Sequence, residues 1–283
     1  MKSVIFNADD FGSTSRANAA ILLAHKEGVL SSASLMVNEP EALEAVALAR
    51  ENSTLAVGLH LALSNGFASQ SHSGAPNIVL PSGRFQEGPA AAGMKYFFSP
   101  AARQQVRREV QAQFGKFAAT GLPFSHVDGH QHLHLHPVIW DAMIACCEQF
   151  GVRHVRIPYE PWQPATTNNL IGRRVEWLFF RVLRRRCLNS IKGKGFTFAD
   201  RVYGHLETGR MNAKYLIELL NRLEGQNIEI YFHPGTPHAQ LMPNNPNVDV
   251  ELEALINPEV RETIDRSGIR MSTYSDFAQF QTR

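Results

Sequence analysis

The chain has 283 residues, enough for one large α/β domain or two small ones, and the even spread of its apolar segments favours a single domain over residues 1–283. Its 28 Lys and Arg residues nearly balance its 26 Asp and Glu residues, so the overall charge gives no reason to expect a nucleic-acid partner. Its three cysteines lack disulfide or CxxC spacing and no apolar stretch is long enough to span a bilayer, which predicts a cytoplasmic protein with reduced thiols.

Short apolar runs that are typical of strands alternate with helical patterns along the whole chain. The first strand is predicted from Ser3, and the helical segment that follows it ends at Gly28. Strands that alternate with helices predict an α/β fold with mainly parallel strands, in a sheet that is either open or closed into a barrel. Further strands are predicted to begin at Ser32, Leu55, Ser125, Val152, Ile228 and Ile269.

Two irregular stretches follow predicted strands. Residues 64–93 are rich in Gly, Ser and Pro and come after the strand that ends near His60, which predicts a long loop, either a lid or a disordered insertion. A second Pro- and Asn-rich loop begins near Gly235. Both loops leave the carboxyl ends of strands, where parallel α/β folds bind their ligands.

Several residues that could bind a metal or transfer protons fall at the carboxyl ends of predicted strands. A lone histidine in such a position is more often a structural residue than a ligand. An acid pair together with three histidines at one edge is harder to explain by packing, because buried charges are unfavourable unless they are paired or coordinated. One carboxylate with two imidazoles suits a divalent metal. The residues are Asp9, Asp10, His60, His130 and His233.

The segment DGHQHLHLHP, residues 128–137, is the densest of these signals. Its histidines alternate, so in an extended conformation they would share one face. We expect His130 to be a ligand and His132 or His134 to support a ligand or to touch the substrate. The alternative is a cluster of solvated histidines.

Four segments in this order resemble the YdjC-like carbohydrate deacetylase family, which includes bacterial chitooligosaccharide deacetylases: NADDFG from Asn7, GLH at 58–60, HVDGHQHLH from His126 and FHPG from Phe232. The hopanoid biosynthesis-associated (HpnK-like) branch is similar in finer segments, such as MKYFFSPAARQQ from Met94 and RIPYEP from Arg156. The family resemblance implies a deformed, polysaccharide-deacetylase-like (β/α) barrel and a metal-dependent hydrolase that removes the acetyl group of an N-acetylated sugar.

The resemblance also implies roles for single residues. Asp10, His60 and His130 would hold one divalent metal ion, with magnesium and zinc as the candidates. Asp9 would be the general base and His233 the general acid. We add Arg156 and Glu160 as candidates for the wall of the substrate pocket.

The branch resemblance implies that the substrate is an N-acetylglucosaminyl hopanoid, a membrane lipid, and that the products are the glucosaminyl hopanoid and acetate. A basic amphipathic helix is predicted at about residues 170–188. Its apolar stripe indicates either a core helix with solvated cations or an interfacial helix on anionic lipid. In the second case the protein is peripheral on the inner face of the cytoplasmic membrane, with lipid contacts from Trp177, Phe180, Arg184 and Arg185.

Three other functions remain open on the sequence. A soluble chitooligosaccharide deacetylase would use the same residues. A non-catalytic lipid- or sugar-binding module could retain an inherited metal site, although it would need neither Asp9 nor His233. A metal-dependent phosphoesterase would also use acids and histidines. A homo-oligomer is compatible with all of these functions.

Overall fold

The structure is a computed structural model that describes residues 1–86, 88–161, 170–235 and 249–277; in the helix that begins at residue 170, the side chains of residues 170, 171 and 173 are not described. Its strands are β1 (Ser3–Phe11), β2 (Ser32–Leu35), β3 (Ala56–Leu61), β4 (Val127–Gly129), β5 (Arg201–Tyr203), β6 (Asn227–Phe232) and β7 (Arg270–Met271). Its helices are α1 (Ser15–Glu27), α2 (Ala42–Glu51), α3 (Pro89–Phe98), α4 (Pro100–Ala119), α5 (Pro137–Phe150), α6 (Leu170–Ile191), α7 (Ala213–Arg222), α8 (Val250–Leu255), α9 (Pro258–Arg266) and α10 (Tyr274–Phe277).

All the strand pairs between these elements are parallel. The strand order is β4-β3-β2-β1-β6-β5, and β7 pairs with the start of β1. Every residue of the central strand β1 is buried. The predicted mainly parallel α/β fold is therefore confirmed.

The segment 153–159 closes the sheet into a deformed barrel between β4 and β5. The Val127 amide donates to the His154 carbonyl at 3.0 Å, and the Val155 amide donates to the Thr197 carbonyl at 3.0 Å. Farther along, the Val202 amide donates to the Tyr159 carbonyl at 3.0 Å. The sequence predicted a strand from Val152, but the segment pairs through isolated bridges.

Residues 64–86 form an ordered loop packed on α4. Ala75, Val79 and Phe85 are buried in this loop, and Glu109 of α4 accepts hydrogen bonds from the Ser69 and Gln70 amides. The helix α3 begins at Pro89, inside the stretch that was predicted as loop. Glu87 lies outside the described residues, as do residues 236–248, which contain most of the second predicted loop.

Candidate active site

The backbone departs from regular strand geometry at the two acids at the end of β1, so both lie at the same site although each has its own partners. Asp10 has a φ of 61°, in the left-handed region, and the pairing of β1 with β2 is irregular between Ala8 and Phe11. Asp9 is buried and faces the barrel interior, where it pairs with Arg156. Asp10 instead faces the histidines at the rim.

Asp10 lies between two histidines from neighbouring strand ends. Its Oδ1 is 2.9 Å from Nδ1 of His130 and 3.4 Å from Nε2 of His60. One ligand atom from each of the three residues lies within 4.8 Å of the other two. His130 lowers the pKa of the Asp10 carboxyl well below its usual range, although burial opposes this effect. The three residues could hold a divalent cation.

His60 is oriented from behind by a second carboxylate. Its Nδ1 is 2.7 Å from Oδ1 of Asp128, which leaves Nε2 directed at Asp10. Burial alone would lower the pKa of His60, but the carboxylates of Asp128 and Asp9 raise it to about 10. The pocket thus favours a positive charge at His60, and a cation would compete with this proton.

A second group, formed by Asp9, His60 and Asp128, also has the spacing of a metal site. Its charge is already compensated by Arg156, whose guanidinium lies 2.7 Å from Asp9, 2.7 Å from Asp128 and 2.7 Å from Glu229. Arg156 is fully buried, so it lies behind Asp9 rather than on an exposed pocket wall. The chemistry of the donors therefore favours Asp10, His60 and His130 as the metal ligands.

His233 directly follows β6 and lies close to Asp9. Its Nε2 lies 3.9 Å from Oδ2 of Asp9, and its backbone amide donates to Glu251 of α8 at 2.6 Å. Oδ1 of Asp9 accepts hydrogen bonds from both Arg156 and Asn7. Oδ2 accepts from Arg156 at 2.8 Å and faces His233. A carboxylate oxygen has two lone pairs, so Oδ2 has room for another donor.

The histidines after β4 do not share one face. They lie in a 3₁₀ turn (His130–Leu135), and positive φ angles at Gln131 and His132 turn the side chains apart. Nε2 of His132 is 3.0 Å from the Tyr231 hydroxyl, and Nε2 of His134 is 3.1 Å from the Arg156 carbonyl. Both are buried, which excludes the solvated-cluster alternative for these two residues; burial lowers the pKa of His134 to about 4.

The helix α6 presents an unexpected face to solvent. Trp177 donates to the Glu160 carbonyl at 2.9 Å, Phe180 packs on His132, and Arg184 stacks 4.3 Å above the Tyr159 ring. Arg185 is exposed. Most of the predicted lipid contacts thus face the protein, because Trp177 and Phe180 line a pocket beside the active site. Among the side chains of α6 that the structure describes, the large apolar ones exposed to solvent are Val175, Leu178, Phe179 and Val182.

Four further residues contribute to the site without having been predicted as site residues. Asp128 and Glu229 bind Arg156, and the Tyr231 ring lies 4.8 Å from the Arg156 guanidinium carbon. Glu251 holds the backbone at His233. A role for Glu229 could have been predicted from the sequence. It is an acid inside the apolar run IEIYF, and a buried charge requires a partner.

Comparison with known proteins identifies relatives along nearly the whole chain. A family model described as YdjC-like protein matches residues 3–266. A carbohydrate deacetylase of Brevibacillus brevis is 30% identical over 277 residues, which cover 96% of this chain and 98% of that protein. A chitooligosaccharide deacetylase of Yersinia enterocolitica is 27% identical over 282 residues, which cover 97% and 99%.

The fold has a solved counterpart from Enterococcus faecalis V583, provisionally described as a cellobiose-phosphate cleavage protein. It superposes with a TM-score of 0.72 at 24% identity and covers 97% of this chain and 98% of that chain. At this identity the likeness extends to the fold alone.

Proposed function

This chain belongs to the YdjC-like protein family, and we propose that it is a carbohydrate deacetylase whose substrate is an N-acetylglucosaminyl hopanoid. It hydrolyses the acetamide C–N bond, and the products are the glucosaminyl hopanoid and acetate. The observation that carries the proposal is the arrangement around β1: Asp10 with His60 and His130 on one side, and Asp9 with His233 on the other.

The donor set fits a divalent cation. Asp10 supplies a carboxylate and the two histidines supply imidazole nitrogens, a combination that suits magnesium less well than zinc or another first-row metal. A cation held by these residues would polarise the acetamide carbonyl and make a water molecule more acidic. Asp128 supports the set, because it fixes which nitrogen of His60 points at Asp10.

In the proposed mechanism, Asp9 accepts a proton from the attacking water. Arg156 holds both of its oxygens, at 2.7 and 2.8 Å, so the carboxylate cannot rotate away. Oδ2 keeps a lone pair directed toward the His233 side and is the oxygen that takes the proton. A buried general base that is fixed by a bidentate arginine loses little orientational freedom when the substrate binds.

In the proposed mechanism, His233 donates a proton to the departing amine nitrogen. Its imidazole lies at the rim, partly exposed, with Nε2 3.9 Å from Oδ2 of Asp9, and histidine is the side chain that most often serves as a general acid in enzymes. Protonation prevents the amine from leaving as an anion, which would be strongly unfavourable. Asp9 therefore acts as the general base for the water, and His233 acts as the general acid for the leaving group.

The lipid part of the proposal rests on exposed apolar residues at the edge of the site. Both α3 and α6 contact the 3₁₀ turn that carries His130. The described large apolar side chains that these two helices expose are Met94, Phe97, Phe98, Val175, Leu178, Phe179 and Val182, and exposed Arg174, Arg181 and Arg185 accompany them on α6. Among the described residues, no helix is long and apolar enough to cross a bilayer. An apolar surface with flanking cations suits peripheral contact with anionic lipid.

A soluble chitooligosaccharide deacetylase is the second candidate, and the relative with that name in Yersinia enterocolitica favours it. The two candidates share every step above and differ in what is attached to the sugar.

The two candidates are separated by mass spectrometry of metal-loaded protein incubated with N-acetylglucosaminyl bacteriohopanetetrol or with diacetylchitobiose. We expect loss of acetyl from the lipid, abolished in Asp9→Asn. Loss from diacetylchitobiose alone would keep the mechanism and reject the lipid substrate. No reaction with either compound would favour a non-catalytic binding module.

A further inference from the structure

Glu251 of α8 is a buried acid that fixes the backbone at His233. Its Oε2 accepts a hydrogen bond from the His233 amide at 2.6 Å, and its Oε1 accepts one from the Gly209 amide at 2.6 Å. The residue is only 1% exposed, so solvent does not compete for either oxygen. Two backbone donors at these short distances suit the ionised carboxylate, which is an acceptor at both oxygens.

These hydrogen bonds join the ends of two neighbouring strands. Gly209 lies in the segment that follows β5, and His233 directly follows β6, which pairs with β5. Asp249, the residue before α8, adds a third contact of the same kind, because its Oδ2 accepts a hydrogen bond from the Gly235 amide at 2.6 Å. The start of α8 thus holds the backbone both at His233 and two residues beyond it.

The ring of His233 is restricted as well. Tyr231 packs edge-on against it with ring centroids 5.6 Å apart, and the Tyr231 hydroxyl lies 3.0 Å from Nε2 of His132. Nε2 of His233 lies 3.9 Å from Oδ2 of Asp9. A general acid works only when its nitrogen reaches the atom that it protonates, and a displacement of about 1 Å can lower a rate about 100-fold. The backbone contact with Glu251 therefore bears directly on proton transfer from His233.

Packing alone gives no reason for a carboxylate at position 251. Burial raises the pKa of the Glu251 carboxyl, and the imidazole of His233 together with the His233 and Gly209 amides opposes this rise. An apolar side chain on this buried face of α8 would avoid the cost of desolvation but would leave two backbone amides unpaired. The carboxylate thus serves the strand ends rather than the packing of the helix.

We propose that Glu251 is a positioning residue for the transfer of a proton from His233 to the leaving amine. This inference rests on the proposed deacetylase function, since it assigns Glu251 a part in the same reaction. Glu251 does not touch the substrate. It holds the His233 backbone so that the imidazole meets the amine nitrogen as the C–N bond breaks. In that step the electron pair of the bond passes to nitrogen, which takes the proton of His233 and leaves as a neutral amine.

The test compares amides with an ester, because an aryl ester releases a stable phenolate that needs no proton. Acetate release is measured with N-acetylglucosaminyl bacteriohopanetetrol, diacetylchitobiose and 4-nitrophenyl acetate. Glu251→Met keeps the length of the side chain and removes both acceptors. For each amide that the unmodified protein hydrolyses, kcat should fall about 10- to 100-fold with KM within about twofold, while kcat for the ester stays within about twofold. His233→Ala should show the same selectivity, whereas Asp9→Asn should lose both activities.

A second variant covers the case in which Glu251→Met does not fold. Glu251→Gln is neutral and keeps one acceptor oxygen, so the same selective loss should appear at about 3- to 10-fold. NMR reports the hydrogen bond itself: in either variant the amide proton of His233 should move upfield and exchange faster with solvent. Glu253→Gln, an exposed acid on the same helix, is the matched control and should change neither the rates nor the amide signal.

Three outcomes would overturn the positioning role and leave the deacetylase intact. They are an unchanged ratio of amide to ester rates in the folded variants, equal losses on amide and ester, and an unchanged amide signal of His233. If the unmodified protein releases acetate from neither amide, the proposed function itself fails and the role of Glu251 fails with it.

Discussion

Arg156 holds Asp9 in a bidentate pair, with its Nη1 2.8 Å from Oδ2 and its Nη2 2.7 Å from Oδ1. The same guanidinium also neutralises Asp128 and Glu229, and all four side chains are buried. One cation thus compensates three carboxylates and orients the one that we propose as the general base. The geometry that makes Asp9 reactive and the charge balance that keeps the barrel interior stable therefore depend on the same side chain.

Changing Arg156 separates these two effects. Arg156→Lys keeps a positive charge but loses the planar fork, so kcat should fall about 100-fold with little change in KM, because the base is no longer fixed. Arg156→Met leaves three buried carboxylates uncompensated and should lower the free energy of unfolding by about 3–5 kcal/mol. Steady-state acetate release and urea denaturation measure the two quantities.

The exposed pair of Arg186 and Asp141 provides the control, with the two atoms 2.8 Å apart. Arg186→Met should change the free energy of unfolding by less than about 1 kcal/mol. An Arg156→Lys variant with unaltered kcat would show that Asp9 needs no such fixation.

The metal content of variants distinguishes between the two groups of residues that have the spacing of metal ligands. Asp10→Asn and His130→Gln should each abolish stoichiometric binding of a divalent metal, whereas Asp9→Asn should retain the metal and lose activity. Asp128→Asn should weaken affinity about 10- to 100-fold, because it removes the group that orients His60. Elemental analysis of dialysed protein gives the stoichiometry. Retained metal in His130→Gln together with loss in Asp9→Asn would place the ion between Asp9, His60 and Asp128 instead.

His25→Gln is the control for unspecific histidine binding. This residue lies at the end of α1, where its ring nitrogens contact the Leu30 carbonyl and the Thr54 hydroxyl. Its replacement should leave the metal content unchanged.

The grouping of the site residues at one rim of the barrel could be predicted from the sequence, because the carboxyl ends of parallel strands all lie at the same edge of a sheet. Asp10 and His60 lie at the ends of β1 and β3, His130 follows β4, and the structure brings their ligand atoms together. Hydrophobic periodicity was sufficient for this step, since it locates strand ends to within a few residues.

Other features depend on contacts that local sequence does not encode. The bend at Asp10 arises where β1 loses its register with β2, and periodicity would have sent Asp9 and Asp10 to opposite faces. Arg156 belongs to an irregular closing segment, and its inward direction follows from the three acids it meets. The helix α6 has apolar residues on two sides, so composition could not tell that Trp177 faces the protein while Phe179 faces solvent.

The stability of the fold should depend on pH through Glu160. Burial raises the pKa of this carboxyl to about 7 from an ordinary value of 4.5, in spite of hydrogen bonds from the Leu206 and His205 amides. Between these two pH values the folded protein binds more protons than the unfolded chain, so the free energy of unfolding falls as pH rises. The contribution is on the order of 3 kcal/mol across the window.

Glu160→Gln removes this titration. The free energy of unfolding of the variant, measured by urea denaturation relative to the unmodified protein, should therefore rise between pH 4.5 and 7. Glu262→Gln, which changes an exposed acid on α9, should give a difference that is flat over the same range. A flat difference for Glu160→Gln as well would mean that Glu160 is ionised in the folded protein at pH 5.

Vesicle binding tests the exposed apolar face of α6. Phe179→Ser combined with Val182→Ser removes two side chains that are 59% and 69% exposed, so folding should be unaffected while lipid contact is lost. We expect the partition coefficient on phosphatidylglycerol vesicles to fall at least about tenfold, because each apolar side chain that enters the interface contributes roughly 1 kcal/mol or more. Binding should also weaken as the salt concentration is raised, since salt screens the attraction between the flanking arginines and the anionic lipid.

Leu43→Ser, on α2, is the control. Leu43 is also highly exposed, at 85%, and the variant should bind like the unmodified protein. Sedimentation with vesicles gives the partition coefficients of the unmodified protein, the double variant and the control. An unmodified protein that stays in the supernatant would reject the lipid surface and leave the deacetylase mechanism untouched.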